Sequence, residues 1–159
     1  MSSNLARKFP EDDLTPSGDR EFVKFLIVDD DAVCVMSIKR TFKKLGIQNP
    51  LFTAVDGYDA LELLRGDRDE EQIVRPYVVL LDLNMPRMGG LEFLRNIRED
   101  PHLRRIIIFV MTTSDAPRDI TAAYDRNIAG YVMKDNAYHS FSEALAMIEN
   151  YTNLIIFPD

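Results

Sequence analysis

Five side chains carry the chemistry open to this sequence: the carboxylates of Asp29, Asp30 and Asp82, the hydroxyl of Thr112 and the ammonium of Lys134. Each follows an apolar run. Asp29-Asp30 comes after Phe25-Leu26-Ile27-Val28, and Asp82 after Val78-Val79-Leu80-Leu81. Thr112 closes Ile106–Met111, and Lys134 closes Tyr131-Val132-Met133. Short apolar runs that end abruptly in a polar residue read as buried parallel strands. In one parallel sheet all five groups would emerge at the carboxyl edge, where open α/β sheets hold their ligands. Three convergent carboxylates repel one another unless a hard cation lies among them, and oxygen-only donors favour Mg2+ or Ca2+. Singly, each residue has a plainer role: an aspartate after a strand usually caps or turns the chain, a lone threonine there is usually a cap, and a lone lysine is usually solvated. Together they offer a metal site, a nucleophile and two donors to phosphoryl oxygens. That combination suits metal-assisted phosphate chemistry.

The elements that must position these groups alternate along the chain. Residues 1–21 are polar, carry Pro10, Pro16 and Gly18, and predict a flexible amino-terminal arm. A strand near Lys24–Val28 precedes a helix from Ala32 to Leu45, ended by Gly46. Leu51–Val55 reads as a short strand and Tyr58–Leu64 as a helix that stops before Gly66, with Asp67–Glu71 a charged loop. Tyr77–Leu81 is the third strand; Leu91, Leu94 and Ile97 then mark a helix after Gly89-Gly90. Ile106–Met111, largely β-branched, is the fourth strand. Asp115 and Pro117 open a fourth helix, and Tyr131–Met133 is a short fifth strand. The last helix has Ser140-x-x-Glu143 as a capping box and Phe141, Ala144, Leu145 and Ile148 as its buried stripe. Five strands alternating with five helices predict an α/β domain built on a doubly wound parallel five-stranded sheet.

Bulk properties narrow the classes. A chain of 159 residues suits one domain with an adequate core. Its hydrophobic content of 46% and charged content of 28% are those of an ordinary globular protein. A formal charge of −7 argues against nucleic acid and anionic membrane as partners. The cluster Lys39, Arg40, Lys43 and Lys44 reads as the wet face of a helix. The single cysteine, Cys34, excludes an intramolecular disulfide and is expected to pack as a small apolar group. No apolar run approaches membrane-spanning length and no signal-peptide core is visible, so the expected location is cytoplasmic.

The motifs Val28-Asp29-Asp30, Leu81-Asp82-Leu83-Asn84-Met85-Pro86 with Gly89-Gly90, Met111-Thr112-Thr113, and Tyr131-Val132-Met133-Lys134 resemble the signature set of a response-regulator receiver domain. The resemblance spans residues 22–150, about four-fifths of the chain. It implies the flavodoxin-like, CheY-like fold with strand order 2-1-3-4-5. It also implies a stand-alone two-component switch, not an enzyme turning over a substrate. Asp82 would be the phosphoacceptor, and Asp29, Asp30, Asp82 and the backbone carbonyl of Asn84 would hold Mg2+. Lys134 and Thr112 would contact phosphoryl oxygens, and Thr112 with Tyr131 would form the switch pair. Asn84 and Ser114 stand where the family tunes dephosphorylation. The implied donor is a sensor histidine kinase or phosphotransfer protein. With no room seen for an output domain after Asn150, output is expected through protein contacts or onward phosphotransfer. The alternative is an interaction module that kept the fold without the phosphorylation. An aspartyl phosphatase is disfavoured because Asp82-x-Asn84 lacks a second aspartate, and a nucleotide or flavin protein because no Gly-rich loop follows the first strand.

The sequence departs from the family pattern in places. Lys134 is followed by Asp135-Asn136 where the family usually has a proline behind a cis peptide. A cis bond before aspartate costs about 2.5–4 kcal/mol, so a trans bond and a rebuilt loop are expected. Thr113 is bulkier than the usual residue there and is expected to restrict phosphodonor access. Met111-Thr112-Thr113-Ser114, followed by Asp119-Ile120 and Tyr124, is similar to single-domain regulators paired with bacterial phytochrome-type kinases. Residues 151–159 form an apolar carboxy-terminal tail, Tyr151 to Pro158 being its body. It is expected to fold back on its own sheet, to cross to a second subunit or to end in disorder. In the second case a homodimer would use the fourth helix, fifth strand, fifth helix and tail.

Overall fold

The structure, a computed structural model, describes residues 22–67, 73–134 and 141–158. Five strands form one parallel sheet: β1 (Lys24–Val28), β2 (Leu51–Ala54), β3 (Tyr77–Leu81), β4 (Ile107–Thr112) and β5 (Gly130–Met133), in the order β2-β1-β3-β4-β5. Five helices connect and flank them: α1 (Ala32–Lys44), α2 (Gly57–Arg65), α3 (Gly90–Glu99), α4 (Pro117–Asp125) and α5 (Phe141–Leu154). The expected fold class and strand order hold, with most element ends within a residue or two.

Successive side chains of a strand point to opposite faces, and the core divides accordingly. Leu26, Val28, Val79, Leu81, Ile108 and Val110 face one layer, packed with Ala60 and Leu63 of α2, Phe93, Leu94 and Ile97 of α3 and Ala123 of α4. Phe25, Ile27, Val78, Leu80, Phe109 and Met111 face the other, packed with Ile38 and Phe42 of α1 and Leu145 and Ile148 of α5. Lys39, Arg40, Lys43 and Lys44 lie on the exposed side of α1, as the charge pattern predicts.

Helix ends follow local chemistry. The Asp31 carboxylate caps α1, accepting from the backbone N–H of Val33 at 3.0 Å and of Cys34 at 3.4 Å. Asp56 caps α2, and Gly66 closes it in the left-handed conformation, φ 73°. Pro117 opens α4 at its first helical position. At the amino edge of the sheet the Arg98 guanidinium donates to the carbonyls of Arg104 (2.7 Å), Ile106 (2.9 Å), Arg126 (2.7 Å) and Asn127 (3.0 Å). This ties the end of α3 to the segments entering β4 and β5.

One boundary differs from expectation. Helix α5 runs on to Leu154, so the first residues of the expected tail are helical. Tyr151 meets the Phe109 ring edge-on at 5.3 Å, which gives that turn a reason to continue. Tyr151 and Phe157 pack against the core, whereas Leu154 and Ile156 are 85% and 97% exposed. The tail therefore turns some side chains inward and leaves others bare. Residues 1–21, the 68–71 part of the charged loop, Asp135 with its peptide bond, and Ser140 of the capping box lie outside the described residues.

Candidate functional site

Strand order creates the site. The chain passes from β2 back across β1 to reach β3, so β1 and β3 are neighbours whose following loops diverge to opposite faces. A crevice opens at such a switch point. Asp29 leaves β1 there and Asp82 leaves β3. Their backbones remain in the ladder: Asp82 N–H donates to the Val28 carbonyl at 2.9 Å, and Asp29 N–H to Ala54 at 3.0 Å. The carboxylate oxygens of Asp29, Asp30 and Asp82 come within 4.8 Å of one another. Asp29 and Asp82 are buried and Asp30 is exposed. An all-oxygen, anionic set of this size fits a hard divalent cation.

Lys134 reaches in from the end of β5. Its ammonium lies 2.7 Å from Asp29 Oδ2 and 3.6 Å from Asp82 Oδ2. The other Asp29 oxygen accepts from the Asp31 N–H at 2.9 Å. Burial pulls the lysine pKa down, but the Asp29 hydrogen bond and the charges of Asp29 and Asp82 outweigh it, leaving the group above the ordinary lysine value. Asp82 is also shifted upward, which for a carboxylate disfavours the charged form. Burial raises its pKa, and Asp29 adds to this, while Lys134, the Thr112 hydroxyl and the Asn84 N–H oppose it; the net shift is upward.

Thr112 is fully buried at the end of β4, and its backbone carbonyl accepts from the Lys134 N–H at 2.9 Å. Its hydroxyl accepts from the Ser114 N–H at 3.3 Å, and its nearness works to hold the Asp82 pKa down. Tyr131 on β5 is half-buried, and its hydroxyl donates to the Ser114 carbonyl at 2.7 Å. Thr112 and Tyr131 are thus joined through one residue of the β4–α4 loop. The Ser114 hydroxyl donates to Asp119 at 2.6 Å. Asn84 is exposed in the β3–α3 loop, and Thr113 is exposed beside the site. Cys34, half-buried next to Asp29 and Lys134, has its thiol pushed up to about 11, by burial first and by the Asp29 charge second. It stays a protonated packing group.

All of the predicted site residues on the strand ends therefore meet. Three others escaped the sequence reading. Asp31 and Asp56 stand immediately before helices and carry the N-cap signal. Arg87 bonds to Asp56, and nothing local in the sequence marks that pair.

Comparison with known proteins agrees with this arrangement. Residues 25–146 match the family described as response regulator receiver domain. The response regulator Rcp1 of Synechocystis sp. is 30% identical over 126 residues, covering 79% of this chain and 86% of that one. Among solved structures, the phosphorylated cyanobacterial phytochrome response regulator RcpA superposes with a TM-score of 0.77 at 28% identity, over 87% of this chain and 99% of that one. The Mn(2+)-bound form of Rcp1 superposes with a TM-score of 0.71 at 27% identity, over 86% and 99%.

Proposed function

Since the chain belongs to the response regulator receiver domain family, we propose that it is a phosphorylation switch whose acceptor is Asp82 and whose resident ion is Mg2+. The observation that carries the reading is the Lys134 ammonium set between Asp29 and Asp82, at 2.7 and 3.6 Å, beside the cluster those two carboxylates form with Asp30. Asp29, Asp30, Asp82 and the Asn84 carbonyl would hold the ion. When bound, the ion offsets the repulsion between an anionic nucleophile and an anionic phosphoryl group.

A carboxylate oxygen of Asp82 attacks phosphorus, an acyl phosphate bond forms, and the bond to the donor group breaks with its electron pair leaving on the donor. Lys134 and Thr112 then each serve a phosphoryl oxygen. Thr112 moving toward the new anion draws its hydroxyl away from the Ser114 N–H. Ser114 also anchors Tyr131, so the loop and the aromatic ring respond together. Asn84 and Ser114 flank the path of the water that ends the signal. The surface of α4, β5 and α5 is the one reshaped.

The donor is a sensor histidine kinase or phosphotransfer protein, working in the cytoplasm. Likeness to Rcp1 and RcpA supports a phytochrome-type kinase. Exposed Leu154 and Ile156 support a homodimer through the α4–β5–α5 face and the tail. Nucleic acid and membrane are not partners on this reading, given the charge of −7; no described helix is long and apolar enough to cross a membrane.

The test is intact mass after incubation with acetyl phosphate and Mg2+, beside Asp82→Asn and a chelated sample. One added phosphoryl group, lost in both controls, is the expected result. Should neither acetyl phosphate nor beryllofluoride with Mg2+ bind, the switch reading falls and the phosphorylation-independent interaction module replaces it.

A further inference from the structure

The loop after Asp82 is held at both ends, and the hold at its far end is electrostatic. Near Asp82, Gly90 N–H donates to the Leu83 carbonyl at 2.9 Å. Gly90 packs so closely that an added Cβ would stand 2.4 Å from the Asp82 carbonyl oxygen. At the other end Arg87 adopts the left-handed conformation, φ 62°, which a residue with a Cβ rarely takes. Its guanidinium sends Nε to Asp56 Oδ2 at 2.6 Å and Nη2 to the same oxygen at 2.5 Å. It also lies 5.5 Å from the centre of the Tyr58 ring.

Asp56 is 2% exposed. Its Oδ1 alone caps α2, accepting from Asp59 N–H at 2.9 Å, so Oδ2 is given over to Arg87. Gly57 N–H donates to the Met88 carbonyl at 3.1 Å, and an added Cβ at Gly57 would meet Met88 at 2.6 Å. Strained backbone persists where its surroundings over-determine it. Here the surroundings are one buried carboxylate and one close-packed glycine, both belonging to the start of α2. Between the two holds lie only Asn84, Met85 and Pro86.

We infer that Asp56 and Arg87 form a clamp that presets the Asn84 segment for cation binding, making both of them positioning residues for a metal site that neither touches. The inference rests on the metal site proposed above. A fixed outer partner lets ligands meet the ion without first being ordered, and loss of such partners costs metal affinity about 10–100-fold. Arg87 is the informative position, because Gly and Asn tolerate the left-handed backbone yet cannot reach Asp56 with a guanidinium.

The experiment is calorimetric titration of Mg2+ into the full chain at a temperature where circular dichroism finds every variant folded. Arg87→Gly and Arg87→Asn should each weaken Mg2+ binding about 10-fold. Asp56→Asn, which keeps an oxygen to cap α2, should lose a similar factor, and the pair Asp56→Asn/Arg87→Gly should lose little more than either alone. Arg98→Ala, at the opposite edge, should lower the melting temperature while leaving Mg2+ affinity unchanged. Mg2+ affinity within twofold of wild type for both Arg87 variants would overturn the clamp. Failure of the wild-type chain itself to take up Mg2+ would overturn the site assignment and the clamp with it.

Discussion

Lys134→Met is the substitution whose consequences follow most directly from the site. In the ion-free protein it removes the positive charge facing the carboxylates of Asp29 and Asp82 and keeps a side chain of similar length. At an effective dielectric of about 20, the 2.7 Å contact represents roughly 6 kcal/mol of gross attraction, and the 3.6 Å contact roughly 5. Most of this offsets the cost of drying the three groups, and breaking a buried pair on one side costs about 3–5 kcal/mol net. One relaxation pulls toward the low end: solvent reaches the site beside exposed Asp30. We expect about 3 kcal/mol lost at pH 7 in EDTA, which is a fall of roughly 6–12 °C in melting temperature for a chain of this size. The loss should shrink on acidification, as proton uptake by Asp82 removes one of the facing charges. Mg2+ should behave oppositely. In the wild type an ion ligated by Asp29 competes with Lys134 for Oδ2, whereas in the variant that oxygen is free of it. If only about 1.4 kcal/mol of the contact opposes the ion, the variant binds Mg2+ tenfold more tightly. Thermal melts in EDTA and in saturating Mg2+, with calorimetric titration, measure both effects. Unchanged stability in EDTA together with equal or weaker Mg2+ binding would show that Lys134 is not the counter-charge of this site.

Arg98→Ala strands four carbonyl acceptors at the amino edge of the sheet and should cost about 2–4 kcal/mol in urea denaturation, without reducing phosphoryl uptake per folded molecule. Gly90→Ala places a methyl 2.4 Å from the Asp82 carbonyl and 2.7 Å from Leu83 Cα, both backbone atoms. Overpacking of this kind costs about 1–3 kcal/mol, and beryllofluoride binding should weaken because the Asp82 strand end must shift. Asp100 has its pKa lowered; burial works against this, but the His102 N–H and the Arg65 guanidinium prevail. A depressed folded-state pKa adds stability above the unfolded carboxylate pKa of about 4, and that stability is lost as pH falls through the folded value. Asp100→Asn should therefore flatten the acid limb of a stability–pH curve and leave Asp82 chemistry intact. Leu154→Ser with Ile156→Ser removes two bare apolar side chains, and a dimer built on the tail should dissociate by size exclusion at micromolar chain while the melting temperature stays nearly constant.

What the sequence alone determined is local and periodic. Runs such as Phe25–Val28 and Tyr77–Leu81 are apolar on both faces because helices cover both, so the strands, their parallel sense and their polar last residues are legible without coordinates. The same runs place Asp29, Asp82, Thr112 and Lys134 at one edge, since strand direction follows from alternation with helices. Capping chemistry is equally local: Gly46, Gly66 and Pro117 end or begin helices by their own conformational limits. Tertiary structure decided what depends on distance between elements. Lys134 bonds to Asp29 across 105 residues because β1 lies inside the sheet on the β3 side of β2, and Arg87 to Asp56 across 31 because α2 and α3 pack on the same face. The one-turn extension of α5 to Leu154 likewise depends on Phe109, a strand away, meeting Tyr151. Periodicity reports which face of an element is apolar; which remote charge or ring that face will meet is set by packing in three dimensions.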